Sequence, residues 1–344
     1  MLCLLSLESR IAADHPLRGI KKLADAALRR LSDRFDAMYA ECGRPSIPPE
    51  RLLKALLLIA LHSVRSERQF CEQLEYNLLF RWFLDMELME PAFDASTFSR
   101  NRQRMLDSAI AAQFFQAVRD QGTELMSREH FSVDGTLIES WASLKSFRPK
   151  DDDDEGDSNG WGDFRGHKRS NQTHQSKTDP EARLMRKGKG REAKLSFGGH
   201  ALVEHRHRLL VDLRVSEATG RSERQTAIEM LEQRQRRRRI TIGADRGYDS
   251  ADFVAHCREA NITPHVTQNT HCRSAIDGRT VRHGGYAISQ RVRKRIEQVF
   301  GWIKTVGGLR RSRYRGRQRT QLAAHMVGAA YNLLRIAKLV AHSP

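Results

Sequence analysis

Cysteine is scarce in this chain and shows no pairing pattern. The five, Cys3, Cys42, Cys71, Cys257 and Cys272, are odd in number and include no CxxC pair, so neither a disulfide framework nor a zinc site is signalled. A reduced, cytoplasmic setting fits this usage. Long apolar runs are missing too. The richest, Leu52 to Val64, carries Lys54 and His62 and falls short of the roughly 20 residues a membrane span requires. Met1 to Leu7 is apolar but has neither a basic leader nor a cleavage site, so no secretion signal is expected. Acid is also in deficit, with 42 Asp and Glu against 59 Lys and Arg, a formal net charge of +17.

What is present argues for a folded protein with a polyanionic partner. At 344 residues and 39% hydrophobic composition the chain can bury real cores and has room for two domains, which excludes global disorder. Between His271 and Arg319 there are 14 Lys and Arg against two acids, Asp277 and Glu297. A charge concentrated in this way suits a nucleic acid, because each Lys or Arg that neutralises a phosphate releases condensed counterions.

Up to about Arg128 the apolar residues recur at three- and four-residue spacing, over Leu17–Leu31, Pro49–His62, Ser66–Leu79, Ser96–Met105 and Ser108–Met126. This predicts an all-helical N-terminal DNA-binding domain, residues 1–128. Ser66 with Gln69 reads as a capping box, and Pro48 and Pro49 stand where a first helical turn begins. Ser96 heads a short helix carrying Arg100, Asn101, Arg102, Gln103 and Arg104, the kind of polar helix that helix-turn-helix modules place in the major groove. A solvated surface helix has the same appearance in a single sequence.

From His130 the period changes. Short β-branched runs at Phe131–Val133, Leu195–Val203, Leu209–Val215, Ile240–Ile242 and Ile262–Val266 interleave with helical stretches at Glu223–Glu232, Ser250–Ala260, Ser289–Val306 and Gln321–Val340. A mixed α/β catalytic domain, residues 129–344, is expected, making the chain α+β and multidomain. Residues 145–194 form a polar insertion too poor in apolar residues to fold alone, with an acidic tract from Asp151 to Asp157 that reads as a solvated loop.

Three segments, SVDGT at Ser132–Thr136, GADRGYDS at Gly243–Ser250 and RKRIEQVFGWIK at Arg293–Lys304, each present one carboxylate from an apolar strand or helix. Asp134 follows Phe131–Val133, and Asp245 ends a buried strand and precedes a turn at Gly247, the end of a strand where α/β sheets place ligand groups. Glu297 lies on a helix where Arg293, Glu297, Phe300 and Lys304 share one face beside an apolar stripe of Ile296, Val299, Ile303 and Val306. Three such acids suit Mg2+, a hard cation held by a few carboxylates and substrate phosphate. Two such ions can serve an in-line displacement at phosphorus. Arg293 and Lys304 would flank the site as phosphate holders. An ordinary Arg293–Glu297 helix pair is the structural alternative.

These segments, together with HPLRGIKKLAD, GRPSIPPERLLKALLL, SERQFCEQLEYNLLFRWF, STFSRNRQR and the block from Asp179 to His200, resemble bacterial DDE transposases of the insertion-sequence-five group, related to the insertion-sequence-four superfamily. The resemblance implies a ribonuclease H-like domain in which Asp134, Asp245 and Glu297 are the catalytic, metal-binding triad, with two Mg2+ ions or Mn2+ in their place. It implies hydrolysis at the element's ends followed by attack of the freed 3′ hydroxyl on target DNA. It further implies inverted-repeat recognition by the N-terminal helices, and a homodimer or larger synaptic assembly on double-stranded DNA. Of the superfamily's Tyr, Arg, Glu, Lys signature, Arg293, Glu297 and Lys304 fit, whereas Gln290 stands at the tyrosine position. Arg310, Arg311, Arg313, Arg315 and Arg317 would track the DNA backbone, with Tyr314 interleaved for stacking.

Two other readings compete. A tyrosine nucleophile with a His-hydrophobic-His metal site would have to use His205 and His207, but Arg206 occupies the apolar position, and the two histidines read as one exposed strand face. A DNA-binding repressor or inactive relic would keep the fold without transposition.

Overall fold

The computed structural model describes residues 6–38, 47–107, 109–150, 169–188, 190–233 and 238–342. Cys3, Cys42, Ser108 and the acidic tract Asp151–Asp157 lie outside the described residues. The apolar spacing of the first third becomes helix: α1 (Leu7–Arg10), α2 (Pro16–Arg29), α3 (Ser32–Asp36), α4 (Pro49–Leu61), α5 (Glu67–Tyr76), α6 (Leu78–Phe83), α7 (Ser96–Asp107) and α8 (Ile110–Gln121). Ser66 Oγ accepts the Gln69 N–H at 3.0 Å and so caps α5, while Gln69 Oε1 reaches back to the Arg65 N–H instead of Ser66's own. The stretch expected as one helix, Ser66–Leu79, breaks at Asn77. That residue is extended in ψ (98°), and its side chain accepts the Phe80 N–H to start α6.

The second part supplies β1 (His130–Glu139), β2 (Phe147–Pro149), β3 (His174–Ser176), β4 (Arg183–Arg186), β5 (Ala193–Glu204), β6 (Leu210–Glu217), α9 (Ser222–Glu232), β7 (Ile240–Ala244), α10 (Ala251–Glu259) and β8 (Ile262–Val266). After these come α11 (Gly278–Val281), α12 (Gly284–Arg293), α13 (Ile296–Thr305) and α14 (Arg317–Ala341). Neighbouring strands of the main sheet run β6-β5-β1-β7-β8. β5 is antiparallel to both β1 and β6, whereas β7 is parallel to β1 and β8 to β7. β4 shares the outer edge of β5 with β6, pairing with Ala193–Ser196 while β6 takes Phe197–Val203.

His205 and His207 lie in the turn between β5 and β6 and not on a strand face. Buried Glu204 organises that turn by accepting the N–H groups of Ser127, Arg206, His207 and Leu209, so four backbone donors are satisfied by one carboxylate. His205 turns inward, its Nε2 2.6 Å from Ser132 Oγ.

The described part of the polar insertion is held from outside. Buried Asp179 accepts the Ser140 hydroxyl at 2.8 Å and the Gly316 N–H at 3.2 Å, which ties β3–β4 to the end of β1 and to the start of α14. The 25-residue α14 packs on β6, α8, α4 and α2. At its middle Gly328 has no room for a side chain, since a Cβ would lie 3.0 Å from Phe115 on α8 and 3.3 Å from Leu213 on β6. Asn332 then bonds both the N–H and the C=O of Leu210 at 2.9 Å, pinning the helix to the sheet. One apolar cluster therefore runs from Leu17 and Leu52 through Phe115 and Leu333 to Leu213 and Val215.

Candidate active site

β1 and β7 are parallel, with Ser132 opposite Gly243. Two residues on come Asp134 in β1 and Asp245, the first residue past β7; the two-residue period of a strand puts Asp134 on the face of Ser132, and the charge of Asp245 acts on it. α12 lies across that face. A Cβ at Gly243 would come within 3.1 Å of Ser289 Oγ, 3.2 Å of Arg293 Cβ and 3.3 Å of Ser132 Oγ, so glycine is what allows the helix to approach this closely. Arg293 is carried in with it, and its charge acts on Asp134. Its Nε donates to Gln290 Oε1 at 2.9 Å, and Gln290 in turn touches Thr267 and the His265 carbonyl, so the residue at the signature's tyrosine position orients the arginine.

Asp134 is held by β1, with Oδ1 accepting the Gly135 N–H at 2.8 Å. Burial, reinforced by the like charges of Asp245 and Glu223, pushes its carboxyl up to about 7, against the pull of Arg293. Asp245 is fixed differently: its Oδ1 accepts the Gly247 N–H at 2.7 Å and caps the short turn Arg246–Tyr248. That turn buries Tyr248 completely. The Tyr248 Oη lies beside Glu223 with no hydrogen bond of regular geometry, and burial together with Glu223, Asp134 and Asp245 raises its pKa well above the ordinary value.

Glu223 and Tyr248 were not singled out in the sequence. Glu223 sits in the first turn of α9, where an acid ordinarily reads as a partner of the helix dipole. Burial, then the charge of Asp245, raises its pKa, offset in part by the Gly135 N–H, the Tyr248 hydroxyl and the charge of Arg224. Glu297 is placed otherwise. The stretch expected as one helix, Ser289–Val306, is pinched at Lys294–Arg295 into α12 and α13, with tight turn bonds Arg295 N–H to Val292 O and Gln298 N–H to Arg295 O. Glu297 opens α13 exposed to solvent and makes no ion pair with Arg293 among the described residues. Phe300, read as sharing its face, is buried with Ile296, Val299 and Ile303 instead.

The donor set suits a hard divalent cation. The carboxylates of Asp134, Asp245 and Glu223 lie near enough to act on one another electrostatically, with Arg293 opposing them at Asp134, and the buried Tyr248 hydroxyl beside Glu223 makes no hydrogen bond of regular geometry. Among the described residues no three His, Cys, Asp or Glu groups stand so that they could hold a metal ion as the side chains are placed. Residues 128–333 match the family model described as a transposase DDE domain, and residues 5–104 match one described as a transposase domain.

The chain belongs to the transposase DDE domain family. It is a DDE-type transposase, an enzyme of DNA transposition. Among solved structures, the transposase resembles a piggyBac transposase synaptic complex with hairpin DNA at 10% identity and a TM-score of 0.45, over 94% of this chain and 75% of that one. It also resembles a pre-cleavage Mos1 transpososome, at 10% identity and a TM-score of 0.21 over 90% and 86% of the two chains. A Mos1 strand transfer complex follows at 13%, with a TM-score of 0.20 over 81% and 86%. No curated protein matches.

The basic residues of the transposase divide by what already occupies them. Arg102 pairs with both oxygens of Glu67, at 2.6 and 2.7 Å, and lies 4.6 Å over the Tyr314 ring. Tyr314 donates its hydroxyl to Glu67 at 3.0 Å, so this ring is built into the fold and does not stand out for stacking. On α7, Asn101 is buried against Thr97, Gln103 bonds Asp107 and Arg104 bonds Asn101, while Arg100 is exposed. Arg311 bonds the carbonyls of Ser140 and Trp141, Arg313 that of Val64, and Arg317 lies near Glu181. Arg310 and Arg315 are exposed. Half-buried Lys304 is lowered to about 8 by burial and by the neighbouring Lys187 and Arg310. Among the described residues no helix is long and apolar enough to cross a membrane.

Proposed function

We propose that this transposase, as a member of the insertion-sequence-five group, binds the terminal inverted repeats of an insertion sequence. It hydrolyses the phosphodiester at each end and joins the freed 3′ ends to target DNA. The observation that carries this reading is that Asp134, two residues past the Ser132–Gly243 pair on β1, and Asp245, just past the parallel β7, act on each other electrostatically with Arg293 beside Asp134. The strand order β6-β5-β1-β7-β8, antiparallel on one side of β1 and parallel on the other, supports a ribonuclease H-like frame for them.

In this reading Asp134, Asp245 and Glu297 hold the divalent cations, Glu297 from α13, one turn beyond Arg293. When bound, Mg2+ or Mn2+ would supply charge neutralisation at phosphate and a more acidic attacking oxygen. The protein's own part is to keep Asp134 largely buried on a stiff strand and to fix half-exposed Asp245 beside it through the turn it caps. Arg293, held by Gln290, presents a fixed positive charge to the scissile phosphate's oxygens. Lys304, Arg310 and Arg315, with Arg100 on the N-terminal helices, extend that positive surface along the DNA. Two ends must be held at once, so a dimer or larger assembly is the working form.

The test is excision and transfer of a marked element between the gene's own flanking ends, by the wild type and by Asp134→Asn, Asp245→Asn and Glu297→Gln. Each variant should bind end DNA and fail to cut it. Cleavage retained in one of them removes that residue from the triad, and a wild type that binds without cutting would make the protein a repressor.

A further inference from the structure

Glu223 is a half-buried carboxylate that neither strand-end logic nor the triad accounts for. β1 makes room for it. A Cβ at Gly135 would overlap Glu223 Oε1 and lie 2.8 Å from its Cδ, so the carboxylate rests directly on the backbone next to Asp134. α9 is anchored there by Arg224, which donates to the Gly247 carbonyl at 3.1 Å, in the same turn that Asp245 caps. A second and independent observation points to a ligand at this place. The Tyr248 hydroxyl is wholly buried among Glu223, Asp134 and Asp245, lies beside Glu223, and makes no hydrogen bond of regular geometry. A fully buried hydroxyl without a well-formed hydrogen bond is costly unless something in the site uses it. A helix-dipole role would leave Glu223 in solvent at the first turn of α9, yet the side chain instead folds inward across a glycine, toward two other acids.

We propose that Glu223 is a further carboxylate ligand of the divalent cation held by Asp134 and Asp245, supplied by α9, which precedes β7 in the chain whereas the helix of Glu297 follows it. This rests on the metal-dependent reading above and deepens it. Gly135 gives Glu223 its seat, and Tyr248, a positioning residue, orients the Glu223 carboxylate by donating to it once the cation draws the acids together. Glu223 thereby ties α9 to the same ion as β1 and β7.

Mn2+ binding by the full-length protein, followed through loss of the free-ion electron paramagnetic resonance signal, tests this without recourse to activity. Outer partners of a metal site already change affinity by about 10- to 100-fold, so Glu223→Gln should weaken Mn2+ binding at least that far. Gly135→Ala, which keeps every carboxylate and displaces only Glu223, should weaken it in the same direction. In chelator, Glu223→Gln should melt at or above the wild-type temperature, because it removes a charge that repels its neighbours. Wild-type Mn2+ affinity in Glu223→Gln, alongside lost affinity in Asp134→Asn, overturns this inference alone. Undiminished binding in Asp134→Asn as well would overturn the metal site itself. A lower melting temperature in Glu223→Gln with unchanged affinity would make Glu223 a structural residue.

Discussion

His325 shows how much a single side chain reveals about this fold. Gln321 Oε1 accepts the Val215 N–H, so its amide nitrogen faces His325 Nε2 at 2.9 Å, and the ring nitrogen must accept. The imidazole is therefore neutral, stacked on Phe115 with ring centroids 5.8 Å apart, and burial lowers it to about 4. His200, paired with Ser216 Oγ, is lowered to about 4 by burial as well. An unfolded histidine takes up its proton near 6.5, so the stability these two contribute is complete above that pH and is lost as the pH falls from 6.5 towards 4. The slope for each is at most about 1.4 kcal/mol per pH unit. Asp134, raised to about 7, acts with the opposite sign, so comparison with a variant is needed to isolate the histidine. Urea midpoints at pH 7 and pH 5 should fall less in His325→Gln than in the wild type, and equal falls would refute a neutral buried ring. At this scale the placement of Asp134 within β1 and of Asp245 just past β7 was legible, because packing alone seldom sets a charged side chain directly after an apolar run. The inward turn of Glu223 against Gly135 was not, because an acid in a helix's first turn ordinarily serves the helix dipole, and that glycine is 88 positions away in the chain.

Among elements, α12 is the one whose placement decides the site. It carries Ser289 and Arg293 against Gly243, with Cβ-level separations of 3.1 and 3.2 Å, so β7 and the helix meet almost backbone to backbone. Gly243→Val would wedge them apart. Overpacking of this kind costs about 1–3 kcal/mol, and the shift would draw Arg293 off Asp134. The expected outcome is a folded protein, by circular dichroism, with a lower melting temperature and a larger loss of strand cleavage than of end binding. Cleavage at the wild-type rate would show that the close approach is dispensable. The boundary between α12 and α13 was hidden from the sequence for a physical reason. RVRKRIEQ contains no Gly or Pro to mark a kink, and the helical period continues through it. Both helices pack on β1, but α12 also packs on β7 and β8 while α13 packs on α14, so the chain bends between them. Asn77 shows the opposite situation, a cap residue inside a helical period whose side chain starts a new helix at Phe80.

Across the whole molecule, the change of period at His130 marks a change of architecture, but the packing does not divide there. The N-terminal helices were legible from their apolar spacing. That their apolar faces are closed by the last helix of the chain was not, since nothing local to α2, α4 or α8 names α14 as its partner. α14 covers all three, and Leu52, Leu53, Leu57 and Phe114 have no exposed surface in the result. Polar ties reinforce the join: Ser63 Oγ to the Val306 carbonyl at 2.9 Å, Arg313 to Val64 at 2.8 Å and Tyr314 to Glu67 at 3.0 Å. Stripping α14 away would expose several side chains whose burial is worth about 1.5–3 kcal/mol each, against a net stability of only about 5–15 kcal/mol for a typical protein. The helical region should therefore not stand alone. Full-length protein is expected to unfold in one urea transition, coincident by far-UV circular dichroism and by tryptophan fluorescence, whose reporters Trp82 and Trp302 lie in the first and second parts of the chain. A fragment of residues 1–128 should show reduced helicity and no cooperative transition. Its cooperative unfolding at the full-length midpoint would mean that the helices carry their own core and that α14 merely rests on it.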